Sequence, residues 1–101
     1  MATKLSASVG KGGKNKPEDT KVVQELLNDF TKKGGFKRLD VDGLIGPKTI
    51  GAIKSFQQNV VGMKRGDGRV DPGGETMAAL VKGPKTLEAD GKKEEKQQQK
   101  K

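Results

Sequence analysis

The sequence predicts an all-α fold: a compact three-helix domain with two Asp-Gly turn-to-helix repeats and flexible termini. Three observations lead there. Apolar residues recur at helical spacing in three windows, and Pro or Gly marks the ends of each window. The stretch Asp42-Gly43-Leu44-Ile45-Gly46-Pro47-Lys48-Thr49 returns in looser form as Asp67-Gly68-Arg69-Val70-Asp71-Pro72, with Asp42/Asp67, Gly43/Gly68, Ile45/Val70 and Pro47/Pro72 each 25 residues apart. After a two-residue insertion, Thr49, Ala52 and Ile53 correspond to Thr76, Ala79 and Leu80. Third, both ends are rich in Lys, with Gly and Ser at one end and Gln and Glu at the other, and are poor in the apolar residues a core needs.

Residues 1–14 read as a flexible basic leader, with Ser8-Val9-Gly10 as the one stretch suited to pack back on the domain. The folded unit is expected over 15–83. Its first helix starts at Pro17, a residue suited to the first helical position because its missing N–H would be unpaired there anyway. Glu18 and Asp19 favour the positive end of the helix dipole. Val22, Val23, Leu26, Leu27 and Phe30 form one stripe, and Gly34-Gly35 stops the helix. A loop follows, with Phe36, Leu39 and Val41 partly buried, Asp42-Gly43 as its turn and Ile45 pointing inward. The second helix runs from Gly46-Pro47 to about Val60, with Ile50, Ile53, Phe56 and Val60 as its stripe. Gly51 and Ala52 are small enough to admit another helix. Asp67-Gly68 is the second turn, and Val70 its inward residue. The third helix runs from about Gly74 to Val81 over Met77, Leu80 and Val81, and Gly83-Pro84 ends it. Residues 84–101 read as a disordered Lys/Glu/Gln tail.

The 101 residues suit one domain. Cys and His are both absent, which removes disulfides, the usual zinc ligands, the commonest general base and every Ser/His or Cys/His nucleophile. Three Phe are the only aromatics, too few for a base-stacking platform. The net charge is +8, but residues 17–81 carry ten basic and nine acidic residues, so the excess lies in the ends. No specific nucleic-acid partner is expected; the basic ends offer at most weak, salt-sensitive attraction to anionic polymers. No window approaches a membrane span, and Met1 to Gly13 holds no apolar run of signal-peptide length.

These residues resemble the peptidoglycan-binding domain family, small three-helix modules found beside cell-wall hydrolases. Val22-Val23-Gln24-Glu25-Leu26-Leu27 is similar to the family's first helix. Asp42 to Thr49 matches its first loop, with Ile45 for Phe, and Ala52-Ile53-Lys54-Ser55-Phe56-Gln57 matches its second helix. Asp67-Gly68-Arg69-Val70 with Thr76 matches the second loop, except that Asp71 replaces a Gly and the turn is two residues longer. The leader around Ser8 to Gly13 looks like versions carried by secretion effectors and phage-type lytic proteins. The resemblance covers about residues 17–82. It implies non-catalytic binding of bacterial peptidoglycan, most of all its stem peptides, by a stand-alone, monomeric targeting or accessory module. The alternative is a protein–protein adaptor of a secretion system or phage lytic apparatus. Synthesis in the cytoplasm is expected, with action in the periplasm or wall reached by a non-classical export route.

The expected ligand groove lies between the first Asp-Gly loop and the second helix, over Asp42, Gly43, Leu44, Ile45, Gly46 and Thr49, with Phe56 and Gln57. Each has a plainer reading. Gly43 supplies a positive φ and Asp42 satisfies turn donors; Thr49 bonds backbone near the helix start; Phe56 is core. Gln57 offers a donor and an acceptor to a peptide amide, or it braces a loop. The carboxylate pairs Asp40/Asp42 and Asp67/Asp71 lie in turns, where no deep pocket is expected, so no catalytic residue is assigned. No EF-hand spacing is present. No metal and no cofactor are expected.

Overall fold

Pro17 fixes φ where no N–H is needed, and in the computed structural model, which describes residues 4–92, the chain enters α1 (Pro17–Leu27) at that residue. The helix tightens to a 3₁₀ turn over Asn28–Phe30 and resumes as α2 (Thr31–Gly34), closed by Gly35 at φ 73°. The first helix is therefore three joined pieces rather than one. Asn28, a poor helix former, turns its side chain to the following loop: its Nδ2 donates to the Leu39 carbonyl at 2.9 Å, and the Leu39 N–H donates to its Oδ1 at 2.7 Å. That pair holds Leu39 in the core.

Pro47 opens α3 (Pro47–Phe56), which widens into a π turn over Gln57–Val61 and ends at Gly62 with φ 92°. The π turn falls at the buried Gln57, whose side chain is fully engaged in hydrogen bonds. Gly51 has open space where a Cβ would stand and is exposed, so no helix packs against it; its neighbour Ala52 is buried. The last helix, α4 (Glu75–Lys92), is broken at Gly83, which takes φ 83° and ψ 162°. Helix resumes beyond that break with Pro84 leading, so the tail expected to be disordered from residue 84 is helical through Lys92. Residues 1–3 and 93–101, parts of the expected leader and tail, lie outside the described residues.

A two-stranded antiparallel sheet joins β1 (Val9–Gly10) to β2 (Arg69–Val70), with Val9 opposite Val70 and Gly10 opposite Arg69. The fold is thus largely helical but not purely all-α. The leader, read as flexible, is packed down from Leu5 onward. Leu5 and Val9 are buried in the core. Asn15, at φ 56°, accepts from the Gly10 N–H at 2.6 Å and donates to the Gly10 and Gly13 carbonyls, both at 3.1 Å. Asp19 receives the Ser6 hydroxyl at 2.7 Å and the Ser6 and Ala7 N–H groups at 3.1 and 3.2 Å. Burial pushes the Asp19 carboxyl up, but those bonds and the nearby Lys16 charge outweigh it and hold the group below its ordinary value.

All three helices and the sheet close on one core. Val9, Val23, Leu27, Ile53, Phe56 and Val70 are fully buried, with Phe30 and Leu80 nearly so. Phe30 meets Phe56 edge to face at 4.7 Å, at an interplanar angle of 75°. Val81, expected in the core, is 46% exposed, because it stands about 100° round the helix from the buried Leu80.

Candidate functional site

The two Asp-Gly corners are built by one hydrogen-bond device used twice. In the first, Gln24 Nε2 donates to Asp42 Oδ1 at 3.1 Å, to the Leu44 carbonyl at 3.1 Å and to Thr49 Oγ1 at 3.2 Å, while the Gly43 N–H donates to Gln24 Oε1 at 2.9 Å. In the second, Gln57 Nε2 donates to Asp67 Oδ1 at 2.7 Å, to the Arg69 carbonyl at 3.0 Å and to Thr76 Oγ1 at 3.1 Å, while the Gly68 N–H donates to Gln57 Oε1 at 2.9 Å. Each aspartate also receives the N–H two residues on, from Leu44 and from Arg69, at 3.0 Å. Gly43 and Gly68 sit at φ 76° and 73°, where a side chain would be strained. The bond from the Leu44 N–H and that from Gln24 hold the Asp42 carboxyl below the usual range. Gln57 and then the Arg69 N–H do the same for Asp67.

Gln24 and Gln57 lie 33 positions apart, as do Lys21 and Lys54. The repeat therefore includes the helix before each turn, not only the turn. The chain is two overlapping helix–corner–helix units, α1–corner–α3 and α3–corner–α4, with α3 shared. Gln24 was not among the residues expected at the site, yet it lines the groove and braces the first corner. The shared Lys-x-x-Gln spacing ahead of each Asp-Gly was the signal that could have found it.

A groove of about 540 Å³ runs beside the first corner. Of the residues assigned to a ligand site, Asp42, Leu44, Ile45, Gly46 and Thr49 line it, joined by Gln24, Arg38, Leu39, Asp40, Pro47 and Lys48. Leu44 is 68% exposed there. Gly43 is buried in the turn that carries the groove wall. Phe56 and Gln57 are elsewhere, and both are completely buried. Phe56 is core, packed on Phe30. Both amide atoms of Gln57 are committed to the second corner, so it has nothing left to offer a ligand. The expectation failed because Gln57 faces the corner that follows α3, not the one that precedes it.

A second hollow, about 530 Å³ and mostly apolar, lies between the leader and α4 over Lys4, Leu5, Gly73, Gly74, Met77, Ala78 and Val81. Among the described residues no three His, Cys, Asp or Glu side chains gather as a metal site would require, and no helix is long and apolar enough to cross a membrane. No family model, curated protein or solved structure matches the chain.

Proposed function

We propose that this protein binds bacterial peptidoglycan without catalysis, through its stem peptides, in the groove beside the first Asp-Gly corner. The observation that carries the reading is the lining of that groove. Arg38 and Lys48 stand with Asp40 and Asp42 around an exposed leucine and the backbone N–H of Ile45, which has no hydrogen-bond partner among the described residues. A stem peptide brings carboxylates, amines, amides and small aliphatic groups, each of which finds a partner there. A bare glycan would favour an exposed aromatic face, and two of the three aromatics, Phe30 and Phe56, are buried. The buried Gln24 fixes the wall against which a ligand would rest, so the groove is set before binding.

Sedimentation with purified sacculi tests this. The full chain should pellet at low and moderate salt. The double variant Leu44→Asp, Lys48→Glu, altering two exposed groove residues, should bind roughly tenfold more weakly, a loss of about 1.4 kcal/mol. A chain that stays in the supernatant would remove the reading. Adhesion by the basic tail is controlled by Lys→Gln changes at Lys92, Lys93, Lys96, Lys100 and Lys101. Cutting the chain at residue 15 is not a clean control, because it also removes the buried Leu5 and Val9.

A second reading, an adaptor for a secretion or phage component, draws on the apolar hollow by α4, where Val81 is left half exposed. It predicts a protein partner lost on Val81→Asp while sacculi are ignored.

A further inference from the structure

The repeat places a corresponding backbone stretch after each corner, and only the second of them is paired as a strand. In the second unit, Arg69–Val70 pairs antiparallel with Val9–Gly10, and the Lys11 N–H donates to the Gly68 carbonyl at 2.9 Å. In the first unit the corresponding residues are Gly43, Leu44 and Ile45. They are held by the same glutamine device, with the corner glycine at nearly the same φ. Among the described residues, however, neither the Gly43 carbonyl nor the Ile45 N–H has a hydrogen-bond partner.

We infer that the Leu44–Ile45 edge takes an extended wall peptide as an added antiparallel strand, with a D-residue opposite Leu44. This rests on the wall-binding reading and says how the peptide is held. Strand addition supplies main-chain bonds to an open edge and leaves specificity to the residue positions along it. The second unit shows what those positions demand. The residue opposite Arg69 is Gly10, at φ 117°, and an L side chain there would bring its Cβ within 2.1 Å of the Gly68 carbonyl oxygen. That φ is the mirror image of ordinary extended backbone, so it suits glycine or a D-residue and opposes an L-residue. Val9 before it is an ordinary L-residue, and the residue after it donates an N–H to the corner carbonyl. The order L-residue, D-residue, then a free N–H is that of the L-diamino acid–D-Ala–D-Ala end of a stem peptide. The third residue's N–H would donate to the Gly43 carbonyl as Lys11 does to Gly68.

The test is titration of the ¹⁵N-labelled full chain with diacetyl-L-Lys–D-Ala–D-Ala, followed by amide shifts. Gly43, Leu44 and Ile45 should move most. The L-Lys–L-Ala–D-Ala isomer should bind at least about fivefold more weakly, the cost of forcing an L-residue into the opposite hand. Methylating the peptide nitrogen of the third residue should weaken binding by a similar factor. Equal affinity for the two isomers, or shifts centred away from residues 43–45, would overturn the inference. Sacculi tested in parallel separate the two ideas. If sacculi bind while the tripeptide gives no response, the strand edge is wrong and the wall reading stands. If the tripeptide is recognised with the stated chirality while sacculi stay unbound, the edge stands and the wall reading falls.

Discussion

Replacing Gln57 with alanine should cost about 3–5 kcal/mol of stability while leaving the groove chemistry untouched. The native side chain makes four hydrogen bonds, two of them wholly buried, to the Gly68 N–H and the Thr76 hydroxyl. Alanine orphans the buried Gly68 donor, at about 1–3 kcal/mol, and forfeits about 1 kcal/mol for each of the other bonds that water cannot restore. The lost methylene and amide also leave a gap beside Phe56 and the corner. A domain of this size holds only some 5–10 kcal/mol in total, so the variant should be near the edge of folding. Urea unfolding followed by circular dichroism is the assay, since the chain has neither Trp nor Tyr for fluorescence. With a slope near 1 kcal/mol per molar urea, the midpoint should fall by about 3 M or more. Gln57→Glu should be no better, because a carboxylate would face the Asp67 carboxylate, the Arg69 carbonyl and the Thr76 oxygen that now receive the amide. A midpoint within about 0.5 M of the parent, or about 0.5 kcal/mol at that slope, would refute the bracing role. Normal stability with lost sacculus binding would return Gln57 to the ligand site.

Gly10→Ala should detach the leader, because the new Cβ meets the Gly68 carbonyl and the backbone must hold φ 117°; hydrogen exchange at the Lys11 amide should accelerate, and stability should drop by about 1–3 kcal/mol. Asp67 has a folded pKa below its unfolded one, so its contribution is present above about pH 4 and fades as pH falls through the folded value. Asp67→Asn keeps the acceptor oxygen and removes the charge; its stability should lie below the parent's at pH 7 and converge with it in acid, whereas parallel curves would mean that the bonds, not the ionisation, matter. Phe56→Ala should lose about 3–5 kcal/mol in the same urea assay, because it empties a fully buried site and breaks the edge-to-face pair with Phe30.

Much of this was legible in the chain because local chemistry is strong where it is punctuated. Pro17 and Pro47 fix helix starts, Gly35 and Gly62 take the positive φ that ends helical runs, and Asp-Gly forms a turn whatever surrounds it. The inward residues Phe30, Ile53 and Phe56 followed from helical spacing, and Val70 from its place after the second Asp-Gly turn. What spacing could not give was direction. Gln57 and Val81 both lie on helices whose extent was roughly right, yet one is sealed inside a corner and the other half open.

The amino-acid sequence by itself determined the helices, the two corners and their kinship, since each depends on residues within a few positions of one another. Only the tertiary structure decided that the polar leader becomes a strand, that Gln24 and Gln57 are braces, and that one corner is covered while its twin stays open. Those outcomes hang on partners such as Val9 and Val70, far apart along the chain, and on which buried amide can reach which carbonyl. Such matches are set by packing in three dimensions and leave no periodic trace in the residue order.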